Sequence, residues 1–172
     1  MVGRASRFIV HFSMSWALQQ FSREEVNEAA ESMINPKSSD DILNIEPIFE
    51  RVNNWRAIHA YPLQAMKMTL STRAKRQDVS ALIAQRTKRI PAIILKLRKH
   101  KSEGLPLKFT QMHDIGGCRA VLRNVSLVES LVKTYEDATA RNALRGGKFH
   151  RKYDYITNPK PVGYRSVHLV YK

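Results

Sequence analysis

At 172 residues, 43% of them hydrophobic and 26% charged, the chain is long enough for one domain with its own core and too apolar for a disordered segment. Its 29 Lys and Arg outnumber 15 Asp and Glu, a formal charge of +14 that points to a polyphosphate or nucleic-acid partner. The single cysteine, Cys118, excludes an internal disulfide and a Cys-based zinc site. It sits in an apolar run, which suits a small buried residue in a reducing, cytoplasmic setting. No apolar run approaches the ~20 uninterrupted residues that cross a bilayer, so no membrane partner is expected.

From Phe8 to Leu18 an apolar stretch follows Arg4 and Arg7, but His11, Ser13 and Ser15 interrupt it, and secretion is not expected. Ser22 and Glu25 have the spacing of a capping box. Val26, Ala29, Ala30, Met33 and Ile34 then recur at helical spacing until Asn35 and Pro36 stop the run. A polar loop over 37–41 leads to a second helix whose face reads Ile42, Ile45, Phe49, Val52 and Trp55. Tyr61 and Pro62 suggest a break. Leu63, Met66, Met68 and Leu70 then form an apolar stripe that reads as core, on a third helix reaching the basic knot at Arg73, Lys75 and Arg76.

Residues 81–90 can be written as a strand or as the tail of a helix; a strand over 82–89 is the expectation taken here. Pro91 favours a new helix with Ile94, Leu95 and Leu97 on its apolar face and Lys96, Arg98, Lys99 and Lys101 on its polar side, ended by Gly104 and Pro106. Gly116 and Gly117 open a short apolar run typical of a buried strand, which holds Asp114 at the strand entrance. Residues 125–140 carry Val128, Leu131, Val132 and Tyr135 on one helical face. After Arg145 and Gly147 come strands over 149–156 and 166–171. The order argues for an α/β or α+β domain built on a mixed sheet, read as α+β with flanking helices: one domain over 1–172, mainly helical over 1–78 and sheet-containing over 79–172.

Three groups of residues carry chemistry. Arg86 and Lys88, two apart on an extended segment, share a face and can grip a triphosphate, with Lys96 returning a third cation from the next helix. Taken alone, such a trio is a solvated face. Asp114 is the sole carboxylate between Glu103 and Glu129; as a hard oxygen ligand it suits Mg²⁺ bridging nucleotide phosphates, and as an isolated Asp it suits a turn cap. Arg119, on the same strand, fits either a phosphate contact or a structural salt bridge. Finally, Asn158, Pro159, Lys160, Pro161, Val162 and Gly163 form a loop between two strand-like runs, followed by Tyr164, Arg165 and His168. Two prolines fix φ, Gly163 permits a turn, cations can meet phosphate and an aromatic face can stack on a base.

The run from Tyr153 through Asn158-Pro-Lys-Pro161 to Gly163-Tyr-Arg-Ser166 and His168 closely resembles the guanosine-recognising loop of RelA/SpoT-type pyrophosphokinases. Asp114 to Arg119 resembles the family's metal-binding Asp motif, and Arg86, Lys88 and Lys96 resemble its ATP-binding cations. The likeness runs from about Phe21 onward, is most specific over 153–168 and 111–122, and includes a segment over 52–63 similar to helices of small members. It implies a nucleotidyltransferase-like synthetase domain that moves the β,γ-pyrophosphate of ATP to a ribose 3′-hydroxyl. The implied acceptor is GDP or GTP, the product (p)ppGpp and the cofactor Mg²⁺, with Asp114 as the catalytic metal ligand. Tyr164 would stack on the acceptor base, Lys160 and His168 would approach its phosphates and sugar, and Arg165 would support the loop. Toxin-type members imply another acceptor, the tRNA 3′ end, and an antitoxin protein as partner. In the family a second catalytic carboxylate, in a Glu-x-Gln motif, follows on the next strand. The sequence reaches Lys172 without it, so a fragment of a longer protein is expected, the other readings being a degenerate form or a non-catalytic nucleotide- or RNA-binding remnant.

Overall fold

The structure, a computed structural model, describes residues 16–36, 45–141 and 148–171. Expectations for residues 8–15, the 37–41 loop, Ile42, and Arg145 to Gly147 lie outside them. Helix α1 (Arg23–Ile34) starts from the capping box: Glu25 N–H donates to Ser22 Oγ at 3.2 Å, and Ser22 N–H donates to the Glu25 carboxylate at 2.8 Å. Val26, Ala29 and Ala30 are buried against helix α2 (Ile45–Ala57), which contributes Ile48, Val52 and Trp55. Phe49 and Ile45, expected on that buried face, are about half exposed. The stripe runs through Ile48 instead, and one residue further along a helix lies about 100° around it.

Helix α3 (Ala60–Gln77) contains Pro62 in its first turn, where a missing N–H leaves no helical bond unmade; the break falls at Ile58 and His59. Leu63 and Ala74 are its buried residues, whereas Met68 is 63% exposed, so the methionine stripe read as core is in part surface.

Strand β1 (Leu82–Thr87) pairs antiparallel with β2 (Gly116–Val121), from Leu82 opposite Val121 to Thr87 opposite Gly116. The strand is shorter than expected because Arg89 already caps helix α4 (Ile90–Ser102), with Pro91 in its first turn. That helix buries Ile93 and Leu97, one turn apart, and leaves Leu95 exposed, correcting the expected apolar face. It ends where Gly104 takes φ +68° and the N–H groups of Gly104 and Leu105 return to the carbonyls of Lys101 and His100 at 3.2 and 3.0 Å.

A 3₁₀ turn (Phe109–Gln111) precedes β2, and helix α5 (Val125–Ala140), capped by Asn124, follows it and buries Leu131, Tyr135 and Ala138. Strand β3 (Phe149–Asp154) pairs antiparallel with β4 (Val167–Tyr171), with an irregularity between Phe149 and Arg151.

The class is α+β, as expected, but the strands form two antiparallel pairs rather than one mixed sheet. Two apolar clusters support them. Val26, Val52, Trp55, Ile93, Leu97, Phe109, Met112 and Ile115 belong to the first. In the second, Ala74, Ala81, Leu131 and Tyr135 pack with Ile83 and Ala120 of one strand pair and Leu169 and Tyr171 of the other, so the pairs share a core without ladder bonds between them.

A polar clasp unforeseen from sequence ties the second region together. The buried Asp78 carboxylate, at the end of α3, accepts from Ser80 Oγ at 2.6 Å, Ser80 N at 3.0 Å, Arg123 N at 3.0 Å and Arg123 Nε at 3.1 Å. The Ser80 hydroxyl and the Arg123 amide outweigh burial and hold its pKa down to about 2. Among the described residues, no helix is long and apolar enough to cross a membrane.

Candidate active site

Met112 and Ile115 are buried in the first core and leave His113 and Asp114 between them at the surface. Asp114 stands there as an acceptor for two ammonium groups: Lys88 Nζ donates to Oδ2 at 3.0 Å and Lys96 Nζ to Oδ1 at 2.7 Å. Burial alone would raise the Asp114 pKa, but the bonds from Lys96 and Lys88 outweigh it and hold the carboxyl below its ordinary value.

The three side chains come from distant segments and are aimed by backbone. Lys88 follows β1, its N–H bonded to the Ile115 carbonyl at 2.7 Å and its carbonyl accepting from Arg56 Nε at 2.9 Å. Arg56, at the end of α2, is itself steadied by Asn53 Oδ1 at 2.6 Å. Lys96 precedes the buried Leu97 on α4. The side chains of Lys88 and Lys96 are 15% and 33% exposed and that of Asp114 50%, so the lysines are partly buried while the carboxylate keeps an open side. Arg56 was given no role from sequence: it lies in the 52–63 segment that resembles helices of small members, and a cation in the last turn of a helix is a common feature.

Arg86 does not join them. It lies on the outer face of β1 opposite Gly117, exposed and without a hydrogen bond or ion pair among the described residues. Two-residue alternation ceases at Thr87, where the strand ends, so Lys88 is free to turn toward Asp114. Arg119, opposite Ala84, is likewise exposed and makes no salt bridge among the described residues.

A second cluster forms around the loop after β3. Asp154 Oδ1 accepts from the N–H groups of Ile156 and Thr157 at 2.9 and 3.0 Å, and Oδ2 accepts from Thr157 Oγ1 at 3.1 Å. These bonds, the Thr157 amide foremost, hold the Asp154 carboxyl below its usual value. Tyr155 N–H donates to the Ser166 carbonyl at 2.8 Å, and Gly163 N–H closes the turn on the Lys160 carbonyl at 2.8 Å. Gly163 adopts φ +76°, a conformation that strains a residue with a Cβ.

Within this turn, Lys160, Tyr164 and His168 come together, while Arg165 is exposed and unpartnered among the described residues. Ser166 Oγ donates to the Tyr164 phenol at 3.0 Å, and the phenol lies 2.8 Å from His168 Nε2. Burial and the nearby Lys160 charge lower the His168 pKa, which favours a neutral imidazole that accepts a hydrogen bond from the phenol. Tyr155 stands at the centre. The Lys160 ammonium lies 4.5 Å from its ring centroid, His168 and Tyr164 meet it edge-on at 5.3 and 5.9 Å, and Tyr153 lies nearly parallel at 6.1 Å. Its signal in the sequence was the two-residue spacing from Tyr153, which places both rings on one side of an extended chain.

Between these clusters the His113 ring touches that of His150, on β3, at 4.9 Å. A cavity of about 390 Å³ between α5 and the β3–β4 pair, lined by Glu136, Thr139, Phe149, Lys152, Leu169 and Tyr171, contains none of the chemically equipped residues.

One carboxylate with two ammonium groups is a poor resident metal site, and no group of three or more His, Cys, Asp or Glu that could hold a metal occurs among the described residues. It does fit Mg²⁺ arriving with phosphates, since that ion commonly uses one or two carboxylates and takes its other oxygens from substrate and water. A family model described as the region found in RelA / SpoT proteins matches residues 85–172, a span that includes both clusters and leaves out Arg56. No curated protein matches the chain.

Proposed function

The chain belongs to the RelA/SpoT family and its function is of the (p)ppGpp-synthetase kind; from that premise we propose that it transfers the β,γ-pyrophosphate of ATP to the 3′-hydroxyl of GDP or GTP. The acceptor oxygen attacks the β-phosphorus, the bond from that phosphorus to the α,β-bridging oxygen breaks, AMP leaves and the hydroxyl proton is released. The observation that carries this reading is the convergence of Lys88 and Lys96 on Asp114 inside the matched span.

In this reading Lys88 and Lys96 hold the donor phosphates and Arg86 meets the donor from the open face of β1. Asp114 would hold Mg²⁺, which when bound neutralises charge on the transferring phosphates. Tyr164 offers a ring to the acceptor base. Lys160 and His168 face its phosphates and sugar, and Arg165 is free to turn toward the same anion. Most of the acceleration then comes from positioning and charge stabilisation.

A second acceptor, the 3′ end of tRNA, is favoured by the charge of +14, which suits a long polyanion better than a mononucleotide requires. Terminally labelled ATP supplied with GDP, GTP or deacylated tRNA separates the readings by which product carries label. Label on guanosine nucleotide supports the first and label on tRNA alone the second. Tight nucleotide binding by the full-length protein without transfer to any of the three overturns both and leaves a binding module.

A further inference from the structure

We infer that the Lys88, Asp114 and Lys96 corner admits a divalent cation only together with a polyphosphate and excludes the free ion. The inference rests on the reading of Asp114 as a metal ligand. Each of its oxygens already accepts from an ammonium group, at 3.0 and 2.7 Å, so the three side chains carry a net charge of +1. A bare divalent cation that took the remaining lone pairs of the carboxylate would stand beside both ammonium groups, whose charge repels it, with no other anion among these three side chains to offset them.

Lys88 is the more confined of the two lysines. Lys88 has its backbone N–H and carbonyl both engaged, and its side chain is 15% exposed; the Lys96 side chain, on α4, is 33% exposed. A triphosphate changes the balance, because its oxygens give both ammonium groups new partners as the Asp114 oxygens are released to the metal. The two lysines thus act as a filter as well as a cradle. It follows that metal and donor enter as one complex, and that the divalent ion cannot preload the corner or enter it with an acceptor that does not reach the lysines.

The test uses the full-length protein with Mn²⁺ as the probe, read from the free-ion electron paramagnetic resonance signal, and α,β-methylene-ATP as a donor that cannot be cleaved. Wild type should leave the free Mn²⁺ signal unchanged. Lys88→Met with Lys96→Met should bind Mn²⁺ alone at least about tenfold more tightly, Lys96→Met by itself should give an intermediate gain, and adding Asp114→Asn should abolish it. Wild type binding free Mn²⁺ as tightly as the methionine variants would overturn the inference while leaving Asp114 a ligand. The underlying reading has its own readout, the strengthening of α,β-methylene-ATP binding by Mn²⁺ in calorimetry. If Asp114→Asn keeps that strengthening in full, Asp114 is not a metal ligand and the inference falls with it.

Discussion

Lys88, Lys96 and Asp114 meet from three separate segments and are braced by a buried core and by Arg56, whereas Tyr155, Lys160, Tyr164 and His168 lie within residues 155–168 and are held by the turn they belong to. The first cluster is ionic and depends on tertiary structure; the second is aromatic and local. Damage far away in sequence should therefore reach the donor corner and spare the acceptor loop. Damage to the loop should weaken the acceptor and leave the donor alone.

The largest effect is expected at Asp114. Asp114→Asn keeps the shape but gives Lys88 and Lys96 a neutral partner, and transfer should fall at least ~100-fold, in the range seen when one electrostatic contact to the reacting group is lost. The melting temperature should change little, because half-exposed ion pairs contribute only about 0–1 kcal/mol. A folded variant with near-normal turnover would make Asp114 a structural acceptor for the two lysines and nothing more.

Next in size is Tyr164. Tyr164→Ala removes a stacking face worth ~1–3 kcal/mol, so acceptor KM or Kd should rise about 5- to 150-fold with donor affinity unchanged. Tyr164→Phe keeps the ring, loses the phenol bonds to His168 and Ser166, and should fall well short of that. Equal losses in donor and acceptor binding would show that the two regions are not independent.

Arg56→Met tests the other half of the comparison. It removes the brace on the Lys88 carbonyl, a part-buried charged bond of a kind worth ~1.5–3 kcal/mol, and about a tenfold rise in donor KM is expected while acceptor KM holds. If the acceptor suffers instead, the brace serves the fold as a whole.

The same contrast explains what was legible in the sequence. The loop could be read because its parts are neighbours: Pro159, Pro161 and Gly163 announce the turn, and Tyr164 and His168 follow at once. Lys88 and Lys96 were expected to share one mouth and Asp114 to hold a metal, but the contact of both lysines with Asp114 was not foreseen, since spacing does not report which charges meet across a fold. Arg86 shows the limit of alternation: it fixes a face only while a strand lasts, and β1 stops at Thr87. Helices were read well where a cap marked the start, as with Ser22, and less well in the faces they bury. Leu95 and Met68 look like core by composition, but both are about two-thirds exposed.

Asp78 was invisible for the same reason: Ser80 precedes β1 at the end of the β1–β2 pair where Arg123 follows β2, and Arg123 lies 45 residues from Asp78 in sequence. With its pKa lowered from 3.8 to about 2 in the fold, it contributes stability that is fully present above pH 3.8 and lost as pH falls toward 2. Asp78→Asn should lower the melting temperature at neutral pH, and the gap to wild type should narrow across that acid window. A gap independent of pH would mean that shape, not charge, makes the clasp.

The smallest effect is expected at Tyr155, and it is the one that most sharpens the distinction between touching a ligand and holding a residue that touches it. Its ring already meets Lys160, Tyr164, His168 and Tyr153, so it is placed to position rather than to stack on a base. Tyr155→Leu removes a cation–π contact worth ~0.5–1 kcal/mol at an exposed site, and acceptor KM should rise about two- to fivefold with kcat nearly unchanged. Tyr155→Phe keeps the ring and should restore wild-type behaviour. A positioning role also predicts that Tyr155→Leu adds little in a Lys160→Met background, where the ammonium it holds is gone. Full additivity of the two changes would mean that Tyr155 meets the acceptor itself.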